Sequence, residues 1–75
     1  MELKDYIRSL DKVDREPFGR RCGSSIAHIV NCAYKTRVPS AELAMAIERE
    51  TKGAVTRQEL LPTKYRAIWP DLQAA

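Results

Sequence analysis

The chain is poor in the residues that carry most small-protein chemistry. It has one histidine and two cysteines in 75 residues, and nine residues separate Cys22 from Cys32. A zinc site needs closely spaced Cys or His pairs, so no metal is expected. Two cysteines do not make a disulfide framework. With only three glycines there is no Gly-rich loop to cradle phosphates, and no cofactor is expected. No acid pair lies in an apolar setting suited to proton transfer. Cys22 and His28 could serve as thiol and base, but both cysteines fall at core-facing positions, where a thiol is inert packing. The sequence therefore predicts a protein that is not an enzyme. No apolar run nears the roughly 20 residues of a membrane span, so no membrane partner is expected. The opening MELKDYIRSL carries charges among its apolar positions and does not read as a signal peptide. Free, reduced thiols in a cytoplasmic protein are the expectation.

What is present fits one small domain. The length is near the lower size at which a core stands without staples. Hydrophobic residues make up 44%, and mean hydropathy is −0.44. The net charge of +3 is unevenly placed. In residues 1–11, Lys4 and Arg8 are outweighed by Glu2, Asp5 and Asp11. In residues 12–37, six cations (Lys12, Arg15, Arg20, Arg21, Lys35, Arg37) face two acids, Asp14 and Glu16. From 38 onward the signs cancel. The positive charge sits where a phosphate-binding footprint would need it, although Lys and Arg on short helices are often just a solvated face.

That basic stretch, DREPFGRRCGSSIAHIVNCAYKTR from Asp14 to Arg37, reads as two short helices joined by a tight turn. This is the helix-turn-helix unit that lays its second helix in the DNA major groove. Gly23 is the pivot, because a helix end in a left-handed residue suits glycine. Gly19 is small enough to let the next helix come close. Phe18, Cys22, Ile29 and Cys32 supply the shared apolar surface, and Ser25 is a good N-cap.

Along the chain, Leu3, Tyr6, Ile7 and Leu10 share one helical face, so a first helix is predicted over about Glu2–Leu10. Asp11 and Lys12 form a connection. Asp14 caps the second helix, with Val13 and Phe18 as a hydrophobic staple and Pro17 in the first turn. The third helix runs from Ser25 or Ile26 to about Tyr34. Its Ile29 and Cys32 or Ala33 face inward, and Ile26 is partly buried. Ser40 caps a fourth helix with Leu43, Ala44, Ile47 and Thr51 as its buried stripe. Glu48 and Lys52 pair on its outer face, and Gly53 ends it. Thr56 and Glu59 form a capping box, with Val55 and Leu60 as a second staple, opening a short fifth helix that Pro62 stops. Residues 1–62 thus form an all-α, five-helix domain. Residues 63–75 form a tail in which Tyr65, Ile68, Trp69 and Leu72 share helical spacing; Pro70 interrupts it, so either a turn or two of helix or an ordered irregular course is expected.

The segments LKDYIRSL (3–10), FGRRCGSS (18–25), AY (33–34) and VPSAELAMAIERETKGAVTRQELLP (38–62) resemble the YdaS-type family of small Cro-like DNA-binding proteins. These are prophage-encoded regulators or antitoxins. AIERETKGAVTRQEL is the most specific part. The resemblance implies a lambda-repressor/Cro-like fold, operator binding through the third helix, and a phage or prophage context in a bacterial host nucleoid. Two residues depart from the family pattern. Val30 stands where a polar residue is common. Lys35 stands where Gly is common, so either the helix exit differs or a lysine adopts a left-handed conformation.

The third helix would then read base edges. Asn31 can make a bidentate pair with adenine, a contact worth about 1–3 kcal/mol of discrimination. Its alternative is a solvated polar residue. Ala27 and Val30 can touch thymine methyl groups or pack against the protein itself. His28 can reach a phosphate or base edge. Ser24 and Ser25 can donate to phosphate near the helix N-terminus, with Ser25 as a cap alone the simpler alternative, and Lys35, Thr36 and Arg37 meet the backbone across the groove. Arg20 and Arg21 are weaker candidates. The expected partner is a double-stranded DNA operator, bound by a homodimer to which Tyr65, Ile68, Trp69 and Leu72 contribute unless they close the monomer's own core. Two alternatives stand beside this repressor: an antitoxin whose partner is a toxin protein, and a helical adaptor that does not bind DNA.

Overall fold

The computed structural model describes residues 1–70, which form six helices and no strand among the described residues. The elements are α1 (Leu3–Ser9), α2 (Lys12–Arg21), α3 (Ile26–Ala33), α4 (Ala41–Glu50), α5 (Arg57–Leu60) and α6 (Tyr65–Ile68). Beyond the expected five helices, the tail takes the helical one of its two expected forms, a single turn over Tyr65–Ile68. The predicted position of Leu72 lies outside the described residues.

The core is built from the expected stripes. Phe18, Ile29, Ile47 and Val55 are each 0% exposed, one side chain from α2, α3, α4 and the segment before α5. Burying a side chain of this size contributes about 1.5–3 kcal/mol. Leu3 and Ile7 close the core from α1, and the Tyr6 ring packs on Phe18 with centroids 5.4 Å apart. Thr51 is buried among them. Its hydroxyl oxygen accepts from the Val55 N–H at 3.1 Å, which satisfies a polar group inside the core.

Three helix ends share one chemistry. In α2, the Ser24 N–H donates to the Gly19 carbonyl at 3.0 Å and the Gly23 N–H to Arg20 at 2.9 Å. In α3, the Thr36 N–H donates to Asn31 at 2.9 Å and the Lys35 N–H to Cys32 at 3.1 Å. In α4, the Gly53 N–H donates to Glu48 at 2.9 Å and the Lys52 N–H to Arg49 at 3.1 Å. Each is a Schellman closure, which needs a left-handed residue just past the helix. Gly23 supplies it at φ +75°, Lys35 at +64° and Lys52 at +55°. Glycine does this freely, whereas the two lysines carry the Cβ clash of the left-handed region, about 1–2 kcal/mol each. Lys35 therefore takes the second of the two arrangements its sequence position allows.

Several local expectations are corrected. Helix α2 starts at Lys12, with Asp11 extended before it and Asp14 inside its first turn, its N–H donating to the Asp11 carbonyl at 2.9 Å. Val13 is thus a helical residue, 79% exposed, and cannot staple Phe18. Pro17 falls in the interior of α2 rather than its first turn. It forfeits the bond to the Val13 carbonyl, which lies at this exposed position. Helix α4 ends through Lys52 and Gly53 together, both left-handed, with the Gly53 N–H closing on Glu48. The left-handed turn takes Lys52 off the helix face, and Glu48 pairs instead with Arg57 of α5. The predicted caps of α3, α4 and α5 are all present. Ser25 accepts from the His28 N–H at 3.2 Å and Ser40 from Leu43 at 3.1 Å, and Thr56 with Glu59 forms the full capping box.

Candidate nucleic-acid interface

The α2–turn–α3 unit is held by a close backbone approach. A Cβ on Gly19 would lie 2.6 Å from the Ile26 nitrogen and 2.9 Å from the Ser25 carbonyl carbon. Only glycine lets α3 begin against α2 at this separation. Ile29 and Cys32 then anchor the inner face of α3, which leaves its opposite face outward.

Ala27, Asn31 and Tyr34 make that outer face, at i, i+4 and i+7, and all three are exposed. The Asn31 side chain carries two amide donors and one acceptor oxygen on this exposed face. Tyr34 was missed as a candidate, although its spacing from Ala27 and Asn31 was readable in the sequence. It is 57% exposed, and Arg8 of α1 donates to its hydroxyl at 3.2 Å. That bond brings a further cation to the end of this outer face, from an element the sequence did not connect to it.

The other predicted contacts divide. Val30 is half-buried and packs against the core, so it does not stand on the outer face. His28 is half-buried too, with its Nε2 3.8 Å from the Cys32 sulfur one turn on, so its ring leans along the helix rather than outward. The Thr36 hydroxyl donates to the Asn31 carbonyl at 3.2 Å. A phosphate oxygen only accepts, so this exposed hydroxyl would donate to one by giving up the bond to Asn31. Thr36 is a helix-closing residue here. Ser25 differs, since its oxygen accepts from His28 and its proton stays free to donate outward. Ser24 is half-buried in a hollow shared with Ser40 and Glu42 at the start of α4. Lys35 and Arg37 are exposed beside the exit of α3. Arg20 is exposed, whereas Arg21 bonds Glu50 at 3.0 Å and Arg49 bonds the same carboxylate at 3.1 Å. Arg49 above all holds the Glu50 carboxyl below the usual range.

In the tail, Trp69 is half-buried with the Arg57 guanidinium 5.1 Å from its ring centre, a cation–π contact within the chain. Tyr65 is half-buried and Ile68 is 40% exposed. Of these, Ile68 alone presents a large apolar side chain outward.

Both thiols are free and buried. Burial, with the Glu50 charge adding to it, pushes the Cys22 thiol up to about 11. Burial also raises Cys32. The folded state thus holds the Cys22 proton more tightly than the unfolded chain, whose ordinary value is 9.0. The resulting stability is complete below pH 9 and is lost as pH rises towards 11, on the order of 2–3 kcal/mol by linkage. Urea unfolding at pH 8 and at pH 10.5 should show a larger loss in the parent than in Cys22→Ala. Equal losses would mean that the thiol does not titrate against the fold.

Compared with known protein families and with curated proteins, the chain matches none. The YdaS-type resemblance therefore rests on the residues quoted for it. No helix among the described residues is long and apolar enough to cross a membrane.

Proposed function

We propose that the protein is a DNA-binding transcriptional regulator of the Cro-like kind that lays α3 in the major groove of an operator. The observation that carries this reading is the outward row of Ala27, Asn31 and Tyr34 on a helix pinned to α2 through Gly19, with exposed Lys35 and Arg37 at its exit. Asn31 is the base reader, suited to the N6 and N7 edge of adenine. Ala27 offers a methyl contact to thymine. Ser25, Lys35 and Arg37 bind the phosphates on either side, with Tyr34 and Arg8 extending that row. A unit this small covers only part of a helical turn, so the functional form is a homodimer on two half-sites about 34–36 Å apart.

The test is binding to a duplex selected from a random pool, followed over a range of salt. If each subunit neutralises three to five phosphates, a dimer should give a log–log slope of about −5 to −9. Arg37→Ala should flatten the slope for every sequence alike. Asn31→Ala should weaken the selected site by about 1–3 kcal/mol and random DNA far less. Equal loss on both would remove Asn31 from base reading, and failure to enrich any sequence would end the proposal.

A further inference from the structure

We propose that the groove between the exit of α3 and the segment joining α5 to α6 is a binding site for a small anionic amphiphile, a carboxylate with a medium-length alkyl chain. The groove has a volume of about 290 Å³. At about 30 Å³ per water-sized group, it holds roughly ten non-hydrogen atoms, the size of octanoate. Its inner wall is apolar, made by edges of Leu3, Val55 and Leu61 from the core, with Leu60 and Pro39. Val38, 68% exposed, adds an apolar side chain to the lining.

The rim supplies the charge complementarity. Lys35, Arg37 and Lys64 line the groove, and no ion pair joins any of them to a carboxylate among the described residues. Two acids share the rim. Glu59 is already engaged by the Thr56 N–H at 3.0 Å and the Thr56 hydroxyl at 3.1 Å, and Glu2 stands 3.8 Å from Lys4. Three unpaired cations thus face one opening. Lys35 reaches the rim from a left-handed backbone position, φ +64°, that glycine would fill without strain. An apolar slot with cations at its mouth recognises an alkyl carboxylate: the chain is buried while the head group stays hydrated among the ammonium and guanidinium donors. Cys32 and Ala33, the last turn of α3, border the same groove, so an occupant touches the helix proposed above to read DNA.

The test contains no DNA, so it stands or falls apart from the regulatory reading. Isotope-labelled protein is titrated with octanoate and, as a neutral control, with octan-1-ol, while backbone amide shifts are followed. Octanoate should give saturable shifts centred on Ala33, Val55 and Leu61, with octan-1-ol at least tenfold weaker. Arg37→Glu combined with Lys64→Glu, both at exposed positions, should keep the dispersed spectrum and weaken octanoate at least tenfold. No saturation, or equal affinity for the alcohol, overturns the site. Shifts at the same amides that depend on protein concentration without octanoate also overturn it, because a second copy would then be the occupant.

Discussion

Gly19→Ala is expected to destabilise the protein by about 3 kcal/mol or more, enough to unfold much of a domain this small. The added methyl would sit 2.6 Å from the Ile26 nitrogen and 2.9 Å from the Ser25 carbonyl carbon. Both neighbours are backbone, and Ser25 and Ile26 are fixed as cap and first residue of α3. Neither can rotate away, so relief requires α3 to separate from α2 and to withdraw Ile29 from the core. Gly23→Ala is the informative contrast. A Cβ there meets no atom within 4 Å, and only its φ of +75° opposes the change. It should cost about 1–2 kcal/mol, the ordinary penalty for a left-handed alanine. Urea titration of both variants checks the pair. Comparable losses would show that crowding at Gly19 is relieved by movement of the chain, and α3 would then not be held at the separation described.

Ala27→Glu is expected to abolish DNA binding while leaving the fold as stable as before, or slightly more so. Ala27 is exposed in the first turn of α3, a turn with no acidic residue. A carboxylate there complements the helix dipole, a gain of about 0.3–1 kcal/mol. The same charge would face the phosphates and the acceptor-rich groove, where a like-charge contact costs several kcal/mol. A loss of at least about a hundredfold in DNA affinity follows from roughly 3 kcal/mol. The opposite directions of the two effects separate interface from scaffold. Thermal unfolding and a binding titration on one preparation suffice. DNA affinity unchanged by Ala27→Glu would place α3 outside the groove and remove it from operator reading.

The readable parts of the fold were those set by short-range chemistry. The stripe Leu43, Ala44, Ile47 and Thr51 is buried because residues three and four apart share a helix face whatever surrounds them. Ser25, Ser40 and Thr56 cap their helices because a side-chain oxygen beside unpaired backbone N–H groups is a local arrangement. The start of α2 was misplaced for the same reason turned around. Asp14 has a capping side chain, but Asp11, read as part of the connection, is the extended residue before α2 and makes no side-chain cap, so the local capping signal did not set this start. With Asp11 chosen, Pro17 moves into the helix interior and Val13 turns to solvent.

On the candidate interface, the sequence by itself determined which helix faces outward, because Ile29 and Cys32 leave Ala27 and Asn31 on the other side. It also placed Lys35 and Arg37 beside the exit of α3, because they follow it directly in the chain. Tertiary structure decided the rest. It turned Val30 and His28 partly inward, where a half-turn of helix lies between core and surface. It brought Arg8 of α1 to Tyr34 across 26 positions of the chain, and Glu48 to Arg57 in place of Lys52. It made the groove in which Lys35, Arg37 and Lys64 meet Leu3 and Leu61. Periodicity and capping act over one or two turns and are written in neighbouring residues. Which distant side chains share a surface depends on how the helices cross, and that is fixed only when contacts such as Gly19 on Ile26 form.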